Sequence, residues 1–307
     1  MTMELRASRY PSPLRYPGGK GKVANFIKIL MMKNGLIGSD YVEPFAGGAS
    51  IALALLFEDY VDEIHINDLN PAVYAFWHTV LYDTTQLCDR IEKTPVTMKE
   101  WHRQRAVYTS LAPAVEDLGF ATFFLNRTNR SGIVSGGVIG GVDQTGPWKI
   151  DARYNTPELA NRIRKVGRHR SRVHVTQEDG AAFLERGTKD TCPQALLYLD
   201  PPYFVKGEGL YDNFYTAGDH QNIAKVVDKL VNPWVVSYDA VPEVMDLYGD
   251  FSSLRYGLSY SAHTAGKGNE VMFFSPGLDI LDVHPAGISS GKVARARTEV
   301  LERTPAD

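Results

Sequence analysis

Asp200-Pro201-Pro202-Tyr203 is the tetrapeptide best suited to chemistry in this chain. It follows the apolar run Ala195 to Leu199, a strand whose C-terminal end, in an open α/β sheet, faces the ligand crevice. Prolines have no N–H, so the carbonyls of this stiff turn face a ligand rather than a sheet partner. A carboxylate and a fixed carbonyl can accept both hydrogens of an amino group, while tyrosine can stack on a planar base. Two acceptors favour the pyramidal, charge-developing state of an aromatic amine whose lone pair is otherwise delocalised, which makes it a better nucleophile. Asp200, Pro201, Pro202 and Tyr203 are therefore the candidate catalytic residues. The plainer alternative is a proline-stiffened turn with a capping aspartate.

A second constellation is Glu43-Pro44-Phe45-Ala46-Gly47-Gly48, followed about 20 residues later by Asp68. Glycines at a strand-to-helix turn let backbone approach a ligand, and an acid at the next strand end is placed for ribose hydroxyls. This pattern suits a nucleoside-bearing cofactor or, alternatively, a simple tight turn; GxGxxG is absent, which argues against a dinucleotide. Lys20, in Pro17-Gly18-Gly19-Lys20-Gly21-Lys22, stands at a helix start, where a cation and free N–H groups suit a carboxylate or phosphate. The segment lacks the spacing and the Ser or Thr of a GxxxxGK[ST] loop, so a P-loop kinase is disfavoured, and a surface lysine is the alternative.

These residues need an α/β frame. Apolar positions Val23, Phe26, Ile27, Leu30 and Met31 predict a helix, Asp40–Phe45 a strand, the run after Ser50 a buried helix, and Glu63–Asp68 a second strand, which completes βαβ. Val73, Phe76, Trp77, Val80 and Leu81 mark an amphipathic helix, and the chain reads as helical to about Phe124. Six glycines between Ser131 and Trp148 predict a mobile hairpin or loop. The α/β pattern resumes with Val173–Thr176, a helix near Ala181–Arg186, the Ala195–Leu199 strand, a helix capped by Asp219, and Trp234–Tyr238. Strands near Leu254–Tyr260 and Glu270–Phe274 suggest an antiparallel edge hairpin, and from Pro285 the chain reads as a frayed tail or short terminal helix.

The 307 residues hold 44% hydrophobic and 22% charged residues, the make-up of a folded globular chain, and no apolar stretch approaches the roughly 20 residues of a membrane span. Two cysteines, Cys88 and Cys192, and no secretory h-region fit a cytoplasmic location. The formal charge of −3 argues against a histone-like binder, yet Arg127 to Arg172 holds ten basic residues against three acidic ones. That segment suits a polyanion face or, alternatively, a solvated helix face. No cluster with metal-ligand spacing stands out.

With Leu14-Arg15-Tyr16-Pro17-Gly18-Gly19-Lys20, Glu43-Pro44-Phe45-Ala46-Gly47-Gly48, Asn67-Asp68-Leu69-Asn70 and Asp200-Pro201-Pro202-Tyr203 in this order, the chain resembles the Dam-like DNA adenine-N6 methyltransferases of the alpha group over about residues 12–275. The resemblance implies a Rossmann-like methyltransferase sheet, an inserted mainly helical target-recognition domain, and S-adenosylmethionine as methyl donor. It divides the chain into a catalytic domain at 1–70 and 156–284, a recognition domain at 71–155 and a tail at 285–307.

By the same resemblance Tyr16 and Lys20 would line the donor and target-base pocket. Glu43, Phe45, Ala46, Gly47 and Gly48 would contact the donor, Asp68 its ribose and Asp179 its adenine amine. Asp200 would border donor and target, and with the Pro201 carbonyl would accept from the target amine, while Tyr203 stacks on a base flipped out of duplex DNA. Phe124-Leu125-Asn126-Arg127-Thr128 looks like the family's Asn-Arg element, but Asn129-Arg130-Ser131-Gly132-Ile133 departs from the usual aromatic-Asn-Gly-Leu, which leaves the recognised site open. Arg127 and Arg130 suit phosphate or guanine and Asn126 or Asn129 adenine, with helix capping and loop solvation as the alternative. Methylation of cytosine N4 or of RNA adenine, and an idle DNA-binding regulator, are the rival readings. Duplex DNA is the expected partner; a cognate restriction endonuclease and an orphan enzyme without one both stay open, and the sequence sets no oligomeric state.

Overall fold

The computed structural model describes residues 11–15, 20–186, 192–204, 215–260 and 266–303. Seven strands form one sheet in the order β3-β2-β1-β4-β5-β7-β6. Strands β1 (Tyr41–Glu43), β2 (Ile64–Asn67), β3 (Val173–Thr176), β4 (Leu196–Leu199) and β5 (Trp234–Asp239) run parallel, whereas β7 (Gly266–Phe274) is antiparallel to both β5 and the edge strand β6 (Ser252–Tyr260). All four residues of β2 and all four of β4 are buried, as parallel strands covered by helices on both faces must be.

Chain order reverses between β1 and β4, so the crevice outside their C-terminal ends is the topological switch point where ligands bind in open α/β sheets. The loops carrying Glu43–Gly48, Asp68, Asp179 and Asp200–Tyr203 all leave strands at this edge. The antiparallel β7 adds to it from the other direction, since its Glu270 pairs with Asp239 at the C-terminal end of β5.

Helices α1 (Ala24–Lys33) and α2 (Ser50–Phe57) precede β1 and β2, and the predicted helical run resolves into α3 (Pro71–Tyr82), α4 (Thr84–Lys93), α5 (Met98–Tyr108) and α6 (Val115–Thr128). Asn70 caps α3 by accepting from Ala72 N at 2.8 Å, with Pro71 at the first helical position where its missing N–H costs nothing. α3 packs on α6, and α4 on α7 (Thr156–Arg168). The inserted helices share a continuous core with the sheet: Phe76, Trp77, Phe123 and Phe124 join Ile64, Ile66 and Ile163 in one cluster.

Four refinements to the sequence reading follow. The glycine-rich stretch after Ser131 is the loop of the two expected forms rather than a hairpin: an isolated bridge joins Asn129 and Val138, and backbone turns together with the Asn129 and Gln144 side chains hold the rest. Helix α9 (Ala217–Val227) is capped by Thr216, with Asp219 completing the capping box from inside the first turn. Helix α10 (Pro242–Leu247), which follows β5, escaped notice because it is under two turns long. The terminal segment forms α11 (Ser290–Arg303), which packs on α1. Helix α8 is Gly180–Arg186. Among the described residues no helix is long and apolar enough to cross a membrane.

Candidate active site

Lys20 opens a short 3-10 turn ahead of α1 and reaches into the crevice, where only 5% of its side chain is exposed. Its Nζ lies 2.7 Å from Glu270 Oε2, 3.3 Å from Asp200 Oδ1 and 3.1 Å from Ser237 Oγ. The Tyr203 hydroxyl donates to the other Glu270 oxygen at 3.3 Å, and Lys20 Nζ stands 5.5 Å from the centre of the Tyr203 ring. Ser237 in turn contacts the Tyr256 hydroxyl at 3.2 Å. One ammonium thus binds two carboxylates, one of them on the Asp-Pro-Pro-Tyr turn.

The charges are unequal in exposure. Asp200 keeps 30% of its side chain open to solvent, while Glu270 keeps 2%. Burial raises the Asp200 pKa above the ordinary aspartate value and Lys20 pulls it back. Burial pushes Glu270 up to about 7 despite the same lysine. Burial also opposes the Lys20 charge, yet Asp200 and the surrounding tyrosine hydroxyls hold that lysine protonated, well above its usual range.

The glycine turn is fixed from three sides. Gly47 takes a left-handed conformation at φ +46°, its N–H donates to Asp68 Oδ2 at 2.8 Å, and its carbonyl accepts from Trp77 Nε1 at 2.9 Å. Asp68 also accepts from Asn70 N at 3.0 Å; burial raises its carboxyl to about 6 against these two hydrogen bonds. Asn67, 1% exposed, ties the edge together: its Nδ2 donates to the Pro44 and Glu178 carbonyls, while its Oδ1 accepts from Thr176 Oγ1 and Glu178 N. Next to it Asp179 accepts from Ala181 N and Ala182 N and from the Tyr215 hydroxyl at 2.8 Å. The Phe45 ring meets Tyr215 edge-on at 5.8 Å, and it lies so close to Gly180 that a Cβ there would come within 2.3 Å of it. The carboxylates of Asp68 and Asp179 and the Phe45 ring therefore lie at the C-terminal edge of the sheet, an acceptor set and an aromatic wall whose chemistry suits a nucleoside with a diol and an exocyclic amine.

Other expected residues take different places. Glu43 is 5% exposed and accepts from Ala52 N at 3.1 Å, so it satisfies a backbone donor in the first turn of α2. Burial drives its carboxyl to about 8. Ala46 and Gly48 are buried within the turn, and Tyr16 lies outside the described residues.

Three of the four expected DNA contacts are scaffold. Asn126, 1% exposed, donates to the Arg15 and Gly132 carbonyls and accepts from Arg15 N. Arg127, 7% exposed, donates through Nε and Nη2 to the Pro13 carbonyl, and burial brings its pKa down to about 9. Asn129 is fully buried: it accepts from Trp101 Nε1 at 2.7 Å and donates to the carbonyls of Ile133, Val134 and Gly136. Hydrogen bonds to backbone use up the groups that were expected to read bases. Arg130 alone of the four is exposed.

The basic run also divides. Arg162 pairs with Glu158, Arg164 with Glu92 at 2.6 Å, and Lys165 lies 4.0 Å over the Phe57 ring. Arg172 donates to the Val61 and Asp62 carbonyls, which precede β2 and so mark the sheet edge opposite the crevice. Arg168–Arg172 therefore belongs to the wrong edge for a ligand at Asp200.

The sheet order and a glycine turn facing an Asp-Pro-Pro-Tyr turn define a Rossmann-like methyltransferase. The model of the D12 class N6 adenine-specific DNA methyltransferases matches residues 16–261, and the chain belongs to that family. Retron Ec67 DNA adenine methylase of Escherichia coli is 22% identical over 304 residues, covering 92% of this chain and 98% of that one. Among solved structures, M. capricolum TrmK bound to S-adenosyl-homocysteine is 7% identical, covering 86% of this chain and 73% of that one at a TM-score of 0.35. Protein LPL1258 of Legionella pneumophila is 14% identical, covering 92% of each chain at a TM-score of 0.31. Both structural overlaps are remote. The chain is a DNA adenine methyltransferase, and its methyl donor is S-adenosylmethionine.

Proposed function

We propose that Asp200, the Pro201 carbonyl and Tyr203 form the centre that activates the adenine amine, with Lys20 and Glu270 setting its charge. The observation that carries this reading is the position of Asp200: it directly follows β4 at the switch point, is partly open to solvent, and is braced by a buried ammonium at 3.3 Å. S-adenosylmethionine would supply an electrophilic methyl group on a sulfonium, whose methyl–sulfur bond breaks as the methyl is transferred, the electron pair leaving with sulfur as the neutral thioether S-adenosylhomocysteine. Asp68, Phe45, the Gly47–Gly48 turn and Asp179 are the residues that would hold that donor.

Asp200 and the Pro201 carbonyl accept the two hydrogens of N6, which localises the nitrogen lone pair for attack on the methyl carbon. As the new N–C bond forms, the nitrogen sheds one proton, and the raised pKa of Asp200 makes its carboxylate a competent first acceptor. Tyr203, held by Glu270, offers its ring to the target base. An amine stacked inside duplex DNA is out of reach of this recessed carboxylate, so the reading includes extrusion of the base.

The DNA face lies in the inserted unit 71–155, on the loop that follows α6. Arg130, Lys149 and Arg153 are exposed there, and Trp148 is 65% exposed with the Arg153 guanidinium 5.8 Å from its ring centre. Asn126 and Asn129 anchor this loop to Arg15, five residues before Lys20; five residues of chain span at most about 17 Å, which keeps the loop near the crevice.

The test is transfer of labelled methyl groups from S-adenosylmethionine to unmethylated genomic DNA, followed by nucleoside analysis and sequencing. N6-methyladenine within a short motif is expected. N4-methylcytosine, or label that enters only RNA, would overturn the reading.

A further inference from the structure

On the sheet edge opposite the crevice, three side chains from two distant parts of the chain converge. Glu63 directly precedes β2, His65 is the second residue of β2, and His174 is the second residue of β3. His65 and His174 are Cα partners in the parallel ladder, so their side chains leave on the same face. Their rings stack with centres 4.5 Å apart and planes 15° apart. His174 Nε2 lies 2.7 Å from Glu63 Oε2, and His65 Nε2 lies 4.0 Å from the same oxygen. One ligand atom from each residue lies within 4.8 Å of the other two.

The geometry points to a binding site for a zinc-type divalent cation formed by Glu63, His65 and His174. Two imidazoles and one carboxylate are the protein ligands of open, four-coordinate zinc sites, where water takes the remaining position. Bonds of about 2.0–2.1 Å in a tetrahedron place neighbouring donors about 3.3 Å apart, a value bracketed by the 2.7 and 4.0 Å separations here. Binding requires the stacked imidazoles to rotate so that their in-plane lone pairs converge on the ion.

The surroundings suit a cation. The His65 side chain is 11% exposed and its ring is packed against a second strand, whereas Glu63 and His174 are 42% and 46% exposed and give an ion access. Asp40 Oδ2, 3.9 Å from His65 Nε2, adds negative charge behind the pair and is itself fixed by Cys192 N at 2.7 Å. Arg172 is the basic residue placed nearest by its contacts, and its guanidinium is committed to Asp59 and to the Val61 and Asp62 carbonyls. A bound ion would pin the edge strand β3 to β2 and thereby the loop that delivers Asp179. No local motif signals the site, since Glu63 and His174 are brought together only by the parallel pairing of two strands separated by the whole helical insert.

The experiment uses the full chain, stripped with chelator and desalted, and titrated with zinc sulfate at pH 7.5 by calorimetry. One equivalent is expected to bind with Kd below about 10 μM and to raise the melting temperature. His174→Ala and Glu63→Gln, both at half-exposed positions that leave the fold intact, should each weaken that equivalent at least tenfold. Lowering the pH to 5.5 should weaken it further, because ligating imidazoles must be neutral. Absence of a saturable equivalent, or an equivalent with unchanged affinity in both variants, overturns the assignment; the cluster is then a carboxylate–imidazole pair alone.

Discussion

The ammonium of Lys20 stands 3.3 Å from the carboxylate of Asp200, deep enough that 5% of the lysine side chain meets solvent. Asp200 must be ionised to accept from the amine, so turnover falls as pH drops through its pKa. Burial has raised that pKa above the ordinary 3.8, and Lys20 counteracts the rise. Lys20→Met removes the counterweight. The acid limb of the kcat–pH profile should move to higher pH, with a larger loss at pH 6 than at pH 8.5. An acid limb that does not move contradicts the coupling.

Glu43 gives a stability prediction. Its folded pKa is about 8 against an ordinary 4.5, so the folded chain binds the proton more tightly than the unfolded one. The group's contribution is complete below pH 4.5 and is lost as pH rises through about 8. Glu43→Gln keeps an acceptor for Ala52 N without an ionisable group. Thermal melts should show the variant gaining on the parent as pH rises from 5 to 8.5; a constant difference would mean that Glu43 does not titrate in this window.

Asn129 and Arg130 are neighbours with opposite roles. Asn129→Ala strands the Trp101 N–H and three loop carbonyls, and should cost about 2–3 kcal/mol of stability while leaving the salt dependence of DNA affinity unchanged. Arg130→Ala should do the reverse, leaving the melt unchanged and reducing the slope of log affinity against log salt by about 1. Exchange of these two phenotypes would return Asn129 to the DNA face.

The edge assignment of the basic run predicts that Arg168→Ala and Arg170→Ala leave the DNA salt slope unaltered. Both residues are exposed, and Arg170 lies over the Tyr82 ring, 5.9 Å from its centre. A reduced slope in either variant would place DNA on the far side of the sheet.

Most strands were legible because their apolar runs are short and bounded, and β3 matches its expected span, Val173–Thr176. The places of Asp68 and Asp200 were legible for a related reason: each directly follows a parallel strand, whose C-terminal end borders the crevice, whereas Asp179 was marked only by the family resemblance. Glu270 carries no local signal because it reaches the same crevice from the middle of an antiparallel strand, a placement that depends on β7 inserting between β5 and β6. Asn67, Ser237 and Tyr215 act through cross-strand or cross-loop contacts that have no local signature. Asn126, Arg127 and Asn129 misled for the opposite reason. Their polarity signalled surface, while their hydrogen bonds to backbone carbonyls made them affordable inside.

The central claim is that Asp200 activates the target amine, and Asp200→Asn tests it most directly, since the substitution preserves shape and removes charge. Labelled methyl transfer to DNA at saturating S-adenosylmethionine should fall by about 10²-fold or more, with the melting temperature within a few degrees of the parent. A folded Asp200→Asn protein that still makes N6-methyladenine at the parental rate would contradict the account.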